Sequence, residues 1–224
     1  MANPSSPTPL RILCFGDSLT EGYSMYGMHW SPYSKTLQTA LEEQLGSEWK
    51  VEIETDGVSG QLVTTGFRRR MEGLYRADRT RESPFDWVIF LGGTNDLAYS
   101  ILPTKIYDEI EAITALPLET GAQVLTLTVP ECGVKSAKLD GRRGELNRLI
   151  KEDGRENVYA LDLHALIPYH SMPEAERDEI WDDGLHFTPT GYERVGLLVA
   201  KRLLELLKSG ETSAESGEDV QGSR

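Results

Sequence analysis

Arg11-Ile12-Leu13-Cys14-Phe15-Gly16-Asp17-Ser18-Leu19-Thr20-Glu21-Gly22-Tyr23 runs an apolar, strand-like segment straight into a glycine-assisted turn that carries a serine. Open α/β sheets place their chemistry outside the carboxyl ends of the strands, so this reading sets the Ser18 hydroxyl on such a rim. Working outward, further apolar runs lie at 50–55, 86–91, 123–129 and 157–163, and helix-like stretches lie near 33–45, 61–78, 104–116, 139–152 and 189–208. Trp87-Val88-Ile89-Phe90-Leu91 and Val124-Leu125-Thr126-Leu127-Thr128-Val129 show little polar alternation, as expected when both faces of a sheet are buried. Five strands, each followed by a helix, predict an α/β protein with a parallel five-stranded sheet in a three-layer α/β/α sandwich.

A serine hydroxyl is a poor nucleophile unless a base takes its proton and a third group orients that base. Asp183-Gly184-Leu185-His186, just before the last helix-like stretch, supplies both: three residues of tight loop can return the Asp183 carboxylate onto Nδ1 of His186 and leave Nε2 to face Ser18. Acyl transfer also needs donors where the oxyanion develops. Gly57-Val58-Ser59-Gly60 and Gly92-Gly93-Thr94-Asn95-Asp96 each follow a strand, and the Gly60 N–H, the Asn95 side-chain amide and the Ser18 N–H would provide three. The plainer alternative makes Gly57, Gly92 and Gly93 tight-turn glycines, which is preferred for those three. It would also make Asn95 a helix cap, Ser18 a backbone cap and His186 a surface residue.

Together the segments GDSLTEGY, GVSGQ, GGTND and DGLHFTPTGY resemble, in order, the four blocks of the GDSL or SGNH hydrolase family, over residues 11 to 195. The family's invariant serine, glycine, asparagine and histidine correspond here to Ser18, Gly60, Asn95 and His186. The resemblance implies a flavodoxin-like strand order, 2-1-3-4-5, and an esterase, lipase or related acyl hydrolase working through an acyl-serine, with no metal or organic cofactor. It leaves open an acyltransferase or thioesterase on the same site, or a binding protein that has kept the framework. The G-x-S-x-G elbow of α/β-hydrolases is absent, because Thr20 takes the fifth position.

At 224 residues and 39% hydrophobic content, the chain can bury one sizeable core, expected over 10–208. Residues 1–9, rich in Pro and Ser, and 209–224, an acidic stretch almost without apolar residues, read as disordered ends. A net charge of −13 disfavours nucleic acid and anionic lipid as partners, leaving a small-molecule ester as the expected one. Arg68, Arg69, Arg70, Arg76, Arg79 and Arg81, interspersed with Glu72 and Asp78, read as a solvated, ion-paired helix face. No apolar stretch suits a signal peptide or a membrane span, and two cysteines make no disulfide framework, so a cytoplasmic location is the default; Cys14 reads as a core thiol. Asp182, Asp183 and His186 could in isolation hold a metal, but His29, His164 and His170 complete no ligand motif. Tyr23, Met25, Tyr26 and Trp30, beside Met28 and His29, give the loop after Ser18 an apolar density that suits either a substrate pocket or packing onto the next helix.

Overall fold

The structure is a computed structural model that describes residues 6–76 and 82–218, with side chains to residue 209. β1 (Thr8–Gly16) leads into the short α1 (Ser18–Glu21), followed by a small hairpin of β2 (Tyr23–Ser24) and β3 (His29–Trp30). Then come α2 (Ser34–Leu45), β4 (Trp49–Gly57), a π-helical turn (Val63–Phe67) running into α3 (Arg68–Arg76), and β5 (Trp87–Leu91). α4 (Thr94–Ala98), α5 (Pro103–Glu119), β6 (Gln123–Leu127), α6 (Ala137–Lys151) and β7 (Val158–Leu161) complete the sheet region. The chain ends with α7 (Leu163–Leu166), α8 (Glu174–Ile180) and the long α9 (Pro189–Glu218).

The five long strands form one parallel sheet in the order β4-β1-β5-β6-β7, the 2-1-3-4-5 arrangement expected. Alternation along β1, β5, β6 and β7 feeds two separate cores, while β4 contributes to one of them. Ile12, Cys14, Ile89 and Leu91 point to one face, where Leu37 and Leu41 of α2 and Val195, Val199 and Leu203 of α9 cover them. Leu13, Phe15, Val88 and Phe90 point to the other, against Met71 of α3, Ile106 and Ile110 of α5, and Leu146 and Ile150 of α6. Burial on both faces accounts for strands that are apolar at nearly every position, and Cys14 is the core thiol expected.

Register brings the ends of the three neighbouring strands to one level. Gly16 pairs with Gly57 on one side and with Leu91 on the other. A Cβ on Gly57 would lie 2.3 Å from the Glu21 amide nitrogen, and one on Gly16 would lie 2.2 Å from Thr20 Oγ1 and 2.4 Å from the Leu91 carbonyl oxygen. Two glycines thus let α1 settle directly on the sheet edge. Gly57 is therefore a close-approach glycine, not the tight-turn glycine expected.

Other expectations shift at their edges. β1 begins at Thr8, inside the stretch read as a disordered end, because β4 reaches back to Trp49 and Lys50 and pairs with Thr8 and Pro9. α9 continues to Glu218, beyond the boundary expected at 208; once a helix is nucleated, each added residue gains a backbone hydrogen bond without needing an apolar partner. Residues 1–5 and 219–224 of the two expected tails lie outside the described residues. The helix expected over 61–78 starts only at Val63, with residues 77–78 outside the described residues. Among the described residues no helix is long and apolar enough to cross a membrane.

Substituting Gly57 by Ala should cost about 1–3 kcal/mol by overpacking against α1, read as a lowered denaturation midpoint in urea. An unchanged midpoint would mean that α1 does not rest on the strand end as described.

Candidate active site

Ser18 is the first residue of α1, and Asp17 is its N-cap, accepting the Leu19 N–H at 3.0 Å. The first amide of a helix has no intrahelical acceptor, so the Ser18 N–H remains available to a ligand. The hydroxyl meets a ring from the other end of the chain: Ser18 Oγ lies 2.9 Å from His186 Nε2, and His186 Nδ1 lies 2.8 Å from Asp183 Oδ2. Asp183 Oδ1 accepts the backbone N–H groups of Leu185 at 3.0 Å and His186 at 2.8 Å. Burial alone would raise the Asp183 carboxyl pKa, but the hydrogen bonds from the His186 ring and from these two amides outweigh it and hold the pKa below the usual value. The loop is closed by an isolated bridge between Trp181 and Phe187 and by the Asp182 N–H donating to the His186 carbonyl at 2.9 Å, and it turns through Gly184 at φ +79°.

Gly60 and Asn95 come to the same rim on the ends of β4 and β5. Gly60 has φ +73°, and a Cβ built there would meet nothing, so its amide stands at an open surface. Asn95 is the second residue of α4, whose N-cap is Gly93, so it is not a cap. Its Nδ2 donates to the Gln61 carbonyl at 3.0 Å and lies 3.5 Å from Asp17 Oδ2, which holds the amide between the Gly60 loop and the residue preceding Ser18.

Three side chains that the sequence reading assigned no site role support this rim. Glu21 Oε2 accepts the Ser59 N–H at 2.9 Å and the Ser59 hydroxyl at 2.5 Å, tying α1 to the Gly60 loop. Asp96 Oδ2 accepts the Val63 N–H at 2.9 Å, while its Oδ1 accepts the Thr64 N–H at 3.1 Å and the Thr64 hydroxyl at 2.8 Å. It thereby caps the π-helical turn that follows the loop. Arg70 donates to the carbonyls of Gly16 at 2.6 Å and Asp56 at 3.2 Å and to Gln61 Oε1, and its guanidinium lies 4.2 Å from the Phe15 ring centroid.

Arg70 therefore corrects the reading of a uniformly solvated arginine face. Carbonyls at the ends of parallel strands need donors, and Arg70 turns inward to supply them, paired with Asp56 at 3.2 Å. Arg68 with Glu109 and Arg76 with Glu72 keep the ion-paired surface arrangement, and Asp78, Arg79 and Arg81 lie outside the described residues. The acid adjacent to Ser18 is unusual as well. Burial pushes the Asp17 carboxyl up to about 7, with the Asp96 charge adding to the rise and the Leu19 amide and Arg70 opposing it.

The hairpin after α1 forms one side of the site. The Tyr23 ring lies 4.5 Å from the His186 ring and packs edge-on against Trp30, and the Tyr192 hydroxyl donates to the Tyr23 carbonyl at 2.8 Å. Met25, Tyr26, Met28 and Trp30 are exposed. Asp182 is engaged elsewhere than at the histidine: its Oδ2 accepts the Met25 N–H at 2.5 Å, pinning the hairpin tip. The two adjacent acids thus have separate partners.

A family model for GDSL-like lipases and acylhydrolases matches residues 14–194. The chain belongs to that family. Solved structures share its fold at low identity. A lipase/acylhydrolase from Enterococcus faecalis is 23% identical with a TM-score of 0.65, covering 87% of this chain and 95% of its own. The Mycobacterium smegmatis aryl esterase ("M. Smegmatis") is 22% identical with a TM-score of 0.64, covering 88% and 99%. A carbohydrate acetylesterase family member from Sinorhizobium meliloti is 19% identical with a TM-score of 0.63, covering 89% and 99%. No curated protein matches in sequence.

The Asp17 carboxyl titrates higher in the folded chain than the ordinary 3.8 expected on unfolding. Its neutral form therefore contributes stability that is complete below about pH 3.8 and is lost as the pH rises toward 7. The melting temperature of Asp17→Asn should gain on that of the parent between pH 4 and pH 7. A difference that stays constant over that interval would place the Asp17 proton elsewhere.

Proposed function

We propose that the chain is a serine esterase that cleaves small-molecule or lipid carboxylic esters through an acyl-serine intermediate. The observation that carries the reading is the continuous hydrogen-bonded chain from Ser18 Oγ through His186 to Asp183, at 2.9 and 2.8 Å, between residues far apart in sequence. His186 Nε2 removes the hydroxyl proton as Ser18 Oγ attacks the ester carbonyl. The Ser18 and Gly60 N–H groups and the Asn95 side-chain amide receive the oxyanion. Asn95 can do so because its 3.5 Å approach to Asp17 is too long to compete with an oxyanion at ordinary hydrogen-bond distance. The imidazolium, steadied by Asp183, then protonates the departing alcohol, and water repeats the sequence on the acyl-enzyme. Each proton in this cycle moves between Ser18, His186, substrate and water, so the scheme calls for no cofactor. Tyr23 backs the His186 ring, while the exposed Met25, Tyr26 and Trp30 offer an apolar edge for the substrate.

The family name, lipase and acylhydrolase, and the aryl esterase and acetylesterase among the structural neighbours support the same reaction class. On p-nitrophenyl esters, Ser18→Ala should lower kcat by about 10⁶ and abolish labelling by a fluorophosphonate, and Asp183→Ala should lower kcat by about 10⁴. Asn95→Ala should cost roughly 10²–10³ in turnover. Full turnover in a folded Ser18→Ala protein would end the proposal, and a greater loss in Asp182→Ala than in Asp183→Ala would reassign the orienting acid. Products formed with competing alcohols and with thioester substrates separate hydrolysis of esters from acyl transfer and thioester cleavage.

A further inference from the structure

Beside the proposed catalytic residues lies a small, partly open cavity of about 50 Å³. Thr94, the immediate neighbour of Asn95, and Leu185, the immediate neighbour of His186, both line it, so it lies between the proposed oxyanion donor and the proposed base. Leu97 from α4, Val129 and Pro130 from the end of β6, and Leu139 from α6 give it an apolar wall. The loop after β6 is locked to the catalytic loop by the Gly133 N–H donating to the Gly184 carbonyl at 2.6 Å. It is locked to α6 by Asn147, whose side chain accepts the Val129 N–H at 2.8 Å and donates to the Val129 carbonyl at 2.9 Å. The wall is therefore held from two sides and cannot open without breaking these bonds.

Another side of the cavity is closed by a charge. Arg143 is almost fully buried, its guanidinium donating to Asp140 at 2.9 Å and to the Cys132 sulfur at 3.1 Å. Its Nε has no hydrogen-bond partner, and neither does Thr94 Oγ1. An alkyl chain pressed against this guanidinium would offer it no acceptor, so the charge limits how far an apolar tail can extend.

Resting on the esterase reading above, we propose that this cavity is the acyl subsite and that it selects acyl groups of two or three carbons. An apolar cavity of about 150 Å³ accepts benzene, and a water-sized group takes about 30 Å³ of liquid volume. A space of about 50 Å³, about a third of the benzene cavity, therefore suits a methyl or an ethyl tail, and a longer tail has to leave through its open side. A single methylene beyond the fit of an apolar pocket discriminates by about 10–200-fold.

The test is kcat/KM on p-nitrophenyl acetate, propionate, butyrate, hexanoate and octanoate, with the leaving group held constant. The parent protein should prefer acetate and propionate over hexanoate by at least about tenfold. Leu139→Ala, which enlarges the cavity, should raise the hexanoate-to-acetate ratio by about tenfold or more, and Ala98→Leu, which adds bulk at another lining position, should lower the propionate-to-acetate ratio. These ratios cancel any general loss of active protein, and two variants guard against one that fails to fold. Ser18-dependent turnover with a flat or long-chain profile, or ratios that neither variant moves, would overturn the subsite and leave the esterase standing. Absence of turnover on every ester together with absence of fluorophosphonate labelling would overturn both.

Discussion

Three parallel strands ending at the same level are the constraint on which the rest of this molecule depends. Gly16, Gly57 and Leu91 are register partners, so the residues that follow them emerge side by side on one rim. The missing side chains at Gly16 and Gly57 let α1 lie directly on that rim, which seats Ser18 there. His186 then arrives from a loop held shut by the bridge between Trp181 and Phe187. Had β4 slipped by one residue relative to β1, the Gly60 loop would move along the rim by about 3.3 Å, more than the length of a hydrogen bond.

Four acids surround the site, and their partners divide the work among them. Asp183 is ringed by donors, which hold its pKa below the usual value and favour the charged form. Glu21 and Asp96 spend their oxygens on backbone and hydroxyl donors of the segment from Ser59 to Thr64, stiffening the loop that carries Gly60. Asp17, fully buried beside Ser18, accepts one amide and is pushed by desolvation toward its neutral form. The same side-chain chemistry therefore yields a charged partner for the His186 ring, two braces and a cap shifted toward neutrality, according to how many donors each carboxylate meets.

Much of the fold was legible because burial on both faces leaves an apolar run that short windows reveal; all five sheet strands were expected near where they lie. The turns that carry Ser18, Gly60 and Asn95 were legible because each follows a strand and contains glycine. Arg70 was not. Its neighbours Arg68 and Arg76 do form surface pairs, and only the carbonyls presented at the ends of β1 and β4 distinguish its place from theirs. The hairpin from Tyr23 to Trp30 was equally hidden, since strands of two residues carry no periodic signal; it is held by Asp182 at its tip and by Tyr192 at its base.

By itself the amino-acid sequence determined which segments become the five sheet strands and the five longest helices, and which residue types stand at the turns after the strands, because those depend on local periodicity and on glycine's freedom. Whether Asp182 or Asp183 faces the imidazole, which arginine turns inward, and how much room lies beside Leu185 were decided only by the tertiary structure. Each of those outcomes depends on distances between segments that sequence proximity does not constrain. The bond between Ser18 and His186 spans 168 residues, and only packing of the whole sheet and its helices makes it 2.9 Å long.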